Sequence, residues 1–347
     1  KYGGISRYFY KLNEELTKFG AHSLICSPIN YNSYLKKESP NIKIHYNLKK
    51  KLIFTNRLFD NYNNYFNNYY IKRFNPDLTH LTYYQSKLKI KKNNPIVVTV
   101  YDLIHEKFYK DYKLTENNKF KQTYLDAADQ IICISNSTKN DLLKYYDVDQ
   151  RKLSVVHLGI DNFMQKNIEN KKSNSILFVG DRKRYKNFSI LVKAFSNSNE
   201  IKEKFEILCV GGGKFVSHEL EIFSKLNISG KIKYQDATDF ELIDKYKKAS
   251  LFVTTSLSEG FGLPALEAMG CGCRVLASDI SVYRETLKNF AYFFNPLDEN
   301  DLMNKMEKIL FNEKNSEINQ QSVHDHSSSF TWKNCAQKTY EIYKRLV

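Results

Sequence analysis

Apolar runs alternate with helical patterns along the whole chain. In the first half the candidate strands are "HSLICSP", "IKIHYN", "LTHLTYY", "IVVTVYD", "QIICISN" and "LSVVHLG". In the second half they are "SILFVG", "FEILCVGGG", "IKYQ", "SLFVTTS", "CRVLASD" and "AYFFN". Strands that alternate with helices at this spacing indicate parallel sheets with crossover helices. The pattern therefore predicts an α/β protein with two doubly wound sheets.

One stretch interrupts the alternation. Residues 161–175, "DNFMQKNIENKKSNS", are polar and lack periodicity, so we interpret them as a linker. This predicts an N-terminal domain over residues 1–160 and a C-terminal domain over 176–330. A last helical pattern, residues 331–347, is expected to pack back on the N-terminal domain. The chain opens with "KYGGISRY" and no strand before it, so we expect the first strand of the first sheet to be missing from this sequence.

Composition places the chain among globular proteins. It has 347 residues, enough for two cores, and 42% of them are hydrophobic, which argues against disorder. Apolar runs reach only about six to eight residues, so we expect no spanning segment or leader and a cytoplasmic location, with peripheral contact to the inner face of the membrane allowed. The six cysteines lack CxxC or zinc-type spacing, as suits reduced thiols.

Charge is concentrated in the first part of the chain. The net charge is +15, and residues 1–100 hold 17 Lys and Arg against 5 Asp and Glu, a net +12. Within this part, residues 47–74 interleave lysines and arginines with Tyr and Phe at spacings compatible with an amphipathic helix. Such a surface suits anionic lipid headgroups or nucleic acid. The alternative is a solvated helix face in a chain that is rich in lysine throughout.

The most informative stretch is "EGFGLPALEAMGCG", which directly follows the strand candidate "SLFVTTS". It places Glu259 in a glycine-rich loop and Glu267 about one turn into a short helix that has Pro264 near its start. A strand, a glycine loop and a helix N-terminus form an anion site, because free backbone N–H groups and the helix dipole point at the ligand. The two acids beside it predict a ligand that combines phosphate with hydroxyl groups.

Further candidates also follow strands, where open parallel sheets bind their ligands. After "SILFVG", the segment "DRKRYKN" brings the cations Arg182 and Lys186 to the edge of the second sheet. After "FEILCV" comes "GGGK", which by itself is a weak signal. At the first sheet the candidates are Asp102 and His105 in "YDLIHE".

These motifs, with "ICISNSTKNDLLKYYDVDQRKLSVVHLGID" and "FTWKNCAQKTYEIY", resemble the retaining, nucleotide-sugar-dependent glycosyltransferases of family 4. The resemblance spans nearly the whole chain. It implies the GT-B fold, in which two Rossmann-like domains face each other across a cleft that holds the donor. It also implies sugar transfer from a UDP- or GDP-linked donor to a glycan or lipid-linked acceptor, in surface polysaccharide or lipopolysaccharide synthesis.

The resemblance assigns roles to residues of this chain. Glu267 would bind the ribose, Glu259 would lie against the donor sugar, and the diphosphate would be held by two cations: Arg182 and Lys186. Three loop residues would offer backbone N–H groups to the sugar and phosphate: Phe261, Gly262 and Leu263. Two glycines of the other domain would close on the phosphates: Gly3 and Gly4.

The chain departs from the family pattern at two places. Many members have arginine directly after the glycine of "FVG", where this chain has Asp181 and then Arg182. Many also have histidine before the aspartate that follows the "TV" strand, where this chain has Tyr101. Asp102 stays a candidate catalytic residue, and whether Tyr101 or His105 takes the role of the histidine is open.

The chemistry of the donor predicts how the site would act. When the bond from the sugar to the diphosphate breaks, negative charge grows on the leaving group, and cations with a helix N-terminus stabilise it. Since no DxD-type carboxylate cluster appears where a divalent metal would be needed, we expect neither a metal nor another cofactor. The resemblance implies retention by front-face attack of the acceptor, without an enzyme nucleophile.

Other functions share these features. The same fold and anion site serve nucleotide-sugar epimerases, and a relative without activity could act as a nucleotide-sugar-binding subunit. Charge alone would suggest nucleic-acid binding. The motifs favour a nucleotide sugar and an acceptor glycan as partners, and no nucleic acid.

Overall fold

The computed structural model describes residues 4–30, 34–35, 41–48, 56–84, 94–108, 116–161, 172–182, 184–311 and 319–347. The chain divides into two compact units. Unit 1 comprises Lys1–Gly159 together with Thr331–Val347, and unit 2 comprises Ile160–Phe330. The chain thus leaves unit 1 once, builds unit 2 from a continuous segment, and returns to unit 1 at its end.

Unit 1 contains a parallel sheet and two short parallel strand pairs. The sheet has the order β5-β6-β7-β8, and the pairs are β1 with β3 and β2 with β4. The strands of unit 1 are β1 Ile25–Cys26, β2 Ile29–Asn30, β3 Ile42–Lys43, β4 Tyr46–Asn47, β5 Thr79–Leu81, β6 Ile96–Val100, β7 Gln130–Cys133 and β8 Leu153–Val155. All five residues of β6 are buried, as expected of a strand covered on both faces.

Helices pack on the sheet and on the strand pairs of unit 1. They are α1 Gly4–Lys18, α2 Asn56–Phe74, α3 Ile104–Lys107, α4 Glu116–Ala127, α5 Asn136–Tyr145 and the last helix of the chain, α14 Trp332–Lys344. Helix α14 packs against α1, and the hydroxyl of Thr331 caps it by accepting from the backbone N–H of Asn334. The closing segment of the chain is therefore built into the first unit.

Unit 2 is a six-stranded parallel sheet of the order β11-β10-β9-β12-β13-β14. Its strands are β9 Ser173–Val179, β10 Glu206–Val210, β11 Ile232–Gln235, β12 Ala249–Thr254, β13 Val275–Ser278 and β14 Tyr292–Phe294. Counted within the unit, this is the 3-2-1-4-5-6 order of a Rossmann fold. The strand order reverses between the two central strands, β9 and β12.

Most helices of unit 2 lie between its strands in sequence, and the last two follow β14. They are α6 Phe188–Asn197, α7 Asn199–Lys204, α8 Ser217–Lys225, α9 Asp239–Lys248, α10 Leu263–Gly270, α11 Ser281–Leu287, α12 Glu299–Phe311 and α13 Gln320–Ser328. Aliphatic and aromatic side chains of α6, α12 and the central strands form one buried core that includes Phe195, Leu251 and Met306. Two α/β units with parallel sheets, of which unit 2 is doubly wound, therefore confirm the predicted α/β fold class.

The structure differs from the sequence prediction near the start of the chain. The stretch "IKIHYN" forms two strands, β3 and β4, because the backbone N–H groups of His45 and Tyr46 both donate to the carbonyl of Pro28 and break the run. The helix expected over residues 47–74 begins at Asn56, and Asn47 lies in β4. None of the helices within the described ranges is both long and apolar enough to cross a bilayer.

Candidate nucleotide-sugar site

The candidate site lies at the carboxyl ends of β9 and β12 in unit 2, where the strand order reverses. Open parallel sheets bind ligands at such a point because the two loops part and leave a crevice. The loop after β9 carries Lys186, and the loop after β12 carries Glu259. The Lys186 Nζ atom lies 2.5 Å from Glu259 Oε1, and the side chains are only 15% and 12% exposed.

Backbone contacts between the two loops fix this ion pair. Leu257 N–H donates to the carbonyl of Tyr185 at 2.7 Å, and the Thr255 hydroxyl donates to the carbonyl of Lys186 at 2.7 Å. The Ser256 hydroxyl donates to Glu259 Oε1 at 2.6 Å. The same carboxylate oxygen thus accepts from an ammonium and a hydroxyl, which orients it toward the loop after β9.

Helix α10 begins at the site. Gly262 precedes it with φ +83°, a conformation that glycine adopts without steric cost, and Pro264 stands in its first turn. Among the described residues, no side chain caps this helix. The hydrogen bonds of the helix begin with Ala265 and Leu266, whose N–H groups donate to the Gly262 carbonyl, and Pro264 has no N–H. The backbone N–H of Leu263 therefore lies where it can meet a bound anion, as the sequence motif predicts.

Tyr283 packs against the loop after β12 at Gly262. Its side chain is 1% exposed, its hydroxyl lies 2.7 Å from Thr254 Oγ1, and a β carbon at position 262 would lie 2.5 Å from its ring. Burial raises the pKa of Tyr283, and the nearby Glu259 charge adds to the effect, so the hydroxyl stays protonated. Tyr283 therefore requires glycine at position 262.

Glu267 lies in α10 with only 5% of its surface exposed. The hydroxyl of Tyr246, a fully buried residue of α9, donates to Glu267 Oε2 at 3.3 Å. Burial, with the Glu267 charge next in size, raises the pKa of the Cys271 thiol to about 12, which keeps this neighbour neutral. The hydrogen bond from Tyr246 thus fixes the position of the Glu267 carboxylate.

Arg182 occupies a different environment from the one predicted. Its hydrogen bonds go to the loop after β10 and to Glu219 of α8, and its side chain is 3% exposed. Lys186, four residues on, contacts the loop after β12 instead. Strand β9 lies between β10 and β12. Arg182 therefore binds the loop that follows one neighbouring strand, and Lys186 binds the loop that follows the other.

The other predicted residues of unit 2 are the two neighbours of Gly262 in the sequence. The side chain of Phe261 is 3% exposed and packs edge-on against Phe330, so only the backbone of Phe261 is suited to meet a ligand. Leu263 is the first residue of α10 and is half-buried. Glu259, Lys186, Gly262 and Glu267 thus share one region of unit 2.

The candidates of unit 1 lie after β6 and at α1. Asp102 Oδ1 accepts from the backbone N–H of Ile104 at 3.1 Å and so starts the short helix α3. The buried Tyr101 donates its hydroxyl to the carbonyl of Thr82, and His105 is half-buried in α3. Gly4 is the exposed first residue of α1, whereas Gly3 lies outside the described residues.

Three residues that support the site were not predicted from the sequence. Tyr246, Tyr283 and Glu219 hold Glu267, Gly262 and Arg182 respectively. They lie on helices at large separations from the motif residues, and a tyrosine in a helix is usually a core residue. Only the capping position of Glu219, three residues after Val216 at the start of α8, carried a local signal.

Comparison with known proteins identifies the family. Residues 2–162 match the model of Glycosyltransferase Family 4, and residues 159–322 match that of Glycosyl transferases group 1. Together the two matches span nearly all of the chain. The protein belongs to this family of glycosyltransferases, and its two units have the GT-B fold.

Individual relatives extend this picture. The chain is 31% identical over 183 residues to the O-antigen chain mannosyltransferase RfbU of Salmonella typhimurium, covering 52% of this chain and 50% of the relative. It is 28% identical over 274 residues to the serotype-specific mannosyltransferase WbdA of Escherichia coli, covering 72% and 33%. The matches thus span half or less of these relatives. The structure of Anabaena HepE in complex with UDP aligns with a TM-score of 0.75 at 14% identity, covering 100% and 97%.

Proposed function

We propose that the protein is a retaining glycosyltransferase that moves a sugar from a nucleoside-diphosphate sugar to a glycan or lipid-linked acceptor, in the assembly of a surface polysaccharide such as O-antigen. The observation that carries the proposal is the Lys186–Glu259 pair beside the uncapped start of α10, at the strand-order reversal of unit 2. The mannosyltransferase relatives support a hexose donor and a polysaccharide product.

The diphosphate is the part of the donor that this region suits best. Lys186 and the N-terminus of α10 present positive charge, and both become more favourable as the sugar–phosphate bond breaks and charge grows on the leaving oxygen. Because the Lys186 ammonium is held by Glu259 at 2.5 Å, its position is set before the donor binds. Such preorganisation lowers the barrier without requiring a metal ion.

The remaining contacts orient the donor. Glu267, held by Tyr246, would accept from the ribose hydroxyls, and Glu259 would also meet the sugar. The backbone of Phe261, Gly262 and Leu263 would donate to the sugar and the phosphate. In unit 1, Asp102 is proposed to act from the acceptor side. Gly3 and Gly4 are proposed to bind the phosphates.

Three variants test these roles separately. Glu267→Ala should weaken the binding of GDP or UDP about ten- to hundredfold, because a charged hydrogen bond is lost. Lys186→Ala should lower kcat more than nucleotide affinity, because its charge is needed most in the transition state. Glu259→Gln should leave nucleotide binding nearly unchanged and lower transfer.

The assay is nucleotide binding by calorimetry, followed by release of nucleoside diphosphate from GDP- and UDP-sugars with and without acceptor glycan. Lys193→Ala is the matched control, because Lys193 is an exposed lysine on α6 with a loose ion pair to Glu299. Release that needs no acceptor and yields an isomerised sugar would instead indicate an epimerase. Binding without any turnover would indicate a binding subunit, and full activity in all three variants would refute the site.

A further inference from the structure

The guanidinium of Arg182 is almost fully engaged by protein atoms. Its Nε donates to Glu219 Oε1 at 2.8 Å, its Nη1 donates to the carbonyl of Gly211 at 2.9 Å, and its Nη2 donates to the carbonyl of Gly213 at 2.8 Å. The Nη2 atom also lies 3.2 Å from the carbonyl of Lys214. Of the five N–H groups of an arginine, these contacts use most, and few remain for a ligand.

The ring of Phe215 completes the enclosure. Its centroid lies 4.7 Å from the guanidinium carbon, and the centroid of the Tyr234 ring lies 5.7 Å from the same carbon. Glu219 also accepts from the backbone N–H of Val216 at 2.9 Å, so one carboxylate holds both the arginine and the start of α8. Arg182 is therefore locked between a carboxylate, an aromatic ring and three carbonyls.

These carbonyls belong to the glycine loop, residues 211–214, which follows β10. Its three glycines all have positive φ, of +86°, +72° and +79°. A β carbon at Gly212 would lie 3.0 Å from both Arg182 Nη1 and the carbonyl oxygen of Gly180. Only glycine therefore allows the loop to fold this tightly over Arg182 and the end of β9.

The same geometry decides where the amides of the loop point. In a trans peptide the N–H lies opposite the C=O. Since the carbonyls of 211, 213 and 214 face the guanidinium, the N–H groups of Gly212, Lys214 and Phe215 face away from it. Within the described residues, none of these three amides donates to another protein atom. Gly212, Gly213 and Lys214 are exposed.

The glycine loop adjoins the candidate site through Gly180. This residue directly follows β9, and a β carbon at Gly212 of the loop would lie 3.0 Å from its carbonyl oxygen. A β carbon at Gly180 itself would lie 3.8 Å from Lys186 Cε. Free amides beside a lysine, at the carboxyl edge of a parallel sheet, suit a phosphate group.

We infer that Arg182 is a positioning residue: it holds the carbonyls of the glycine loop so that the loop's amides face the donor diphosphate, and it does not itself bind the diphosphate. This inference rests on the proposed function for the identity of the anion. The clamp itself is a property of the ligand-free protein and can be tested without any nucleotide.

The ligand-free test is trypsin cleavage after Lys214, followed by mass spectrometry of the intact protein. Arg182→Ala and Glu219→Gln should each speed this cleavage about tenfold or more, because both release the loop and local opening governs the rate. Arg182→Lys should not restore the wild-type rate, since an ammonium cannot make the planar set of contacts. The control is Arg284→Ala, which removes another arginine that pairs with a carboxylate, Asp279, and stacks on a phenylalanine of unit 2.

The ligand test uses GDP with GMP and UDP with UMP. If Arg182 acts through the loop, Glu219→Gln should weaken diphosphate binding much as Arg182→Ala does, and the double variant should bind no worse than Arg182→Ala alone. Monophosphate binding should change less.

The outcomes separate the possibilities. Unchanged cleavage after Lys214 in both single variants would overturn the clamp. Faster cleavage with unchanged nucleotide binding would refute the proposed direction of the amides. Weaker binding in Arg182→Ala, with Glu219→Gln at wild-type affinity and Arg182→Lys restoring it, would show direct contact with the diphosphate. If the wild-type protein binds neither nucleotide, the proposed function fails while the cleavage result still decides the clamp.

Discussion

Replacing Gly262 by alanine should destabilise unit 2 strongly. At φ +83° an alanine is strained by about 1–2 kcal/mol, because its β carbon approaches the backbone carbonyl. The new β carbon would also lie 2.5 Å from the Tyr283 ring, which is buried and tied through its hydroxyl to Thr254. Overpacking of this kind costs about 1–3 kcal/mol. We therefore expect a loss of about 2–5 kcal/mol in the free energy of unfolding.

Gly272 supplies the matched control. It lies just after α10 with φ +72°, and a β carbon there would have nothing within 4 Å. Gly272→Ala should therefore show the backbone strain alone, about 1–2 kcal/mol. Both substitutions change the entropy of the unfolded chain equally, so that contribution cancels when the two variants are compared.

The measurement is urea unfolding followed by far-UV circular dichroism, with the fluorescence of Trp332, the single tryptophan, as a reporter of unit 1. Gly262→Ala should unfold at clearly lower urea than Gly272→Ala. The double variant Gly262→Ala/Tyr283→Leu, which removes the clashing ring atom, should recover part of the difference in stability between the two single variants. Equal stability of the two alanine variants would refute the claim that Tyr283 requires glycine at position 262.

Three further predictions concern pH, membranes and metals. Burial lowers the pKa of His80 to about 3, so protonation opposes folding, and stability should fall as the pH drops from 6.5 toward 3, with a slope of up to about 1.4 kcal/mol per pH unit; His80→Gln should show a shallower slope in urea titrations, and an identical slope would contradict this. If α2 contacts membranes, the protein should sediment with anionic but not neutral vesicles, less so in high salt, and Tyr65→Ser/Tyr69→Ser should weaken the effect, because both side chains are exposed on α2. Transfer should survive treatment with EDTA, and loss of activity that Mg²⁺ restores would overturn metal independence.

The sequence was sufficient for the fold because both units follow the alternation of strand and helix closely. The central strands β6 and β12 are entirely buried, which produces uninterrupted apolar runs that are easy to recognise. The short pairs near the start were harder, since two-residue strands such as β2 have no periodicity to read. Their pairing depends on Pro28 and on contacts with α2, such as the hydrogen bonds between Asn63 and the backbone of Ile29.

Some contacts of the candidate site could likewise be predicted from the sequence, and others could not. The pairing of Lys186 with Glu259 lies on loops whose motifs were visible in the sequence, so both residues could be named in advance. The contacts of Arg182 could not be, because sequence spacing does not reveal that a guanidinium turns toward Glu219, 37 positions away. Likewise, the support of Glu267 by Tyr246 depends on how α9 packs beside α10.

The return of the chain to unit 1 has a consequence for synthesis on the ribosome. His80 bonds to Tyr343 across 263 positions, and the last helix packs on the first, so unit 1 lacks part of its interior until the end of the chain has emerged. Unit 2 is continuous and has all its strands earlier. Unit 2 is therefore the part that can fold first during translation, while unit 1 stays incomplete until residues 331–347 have emerged.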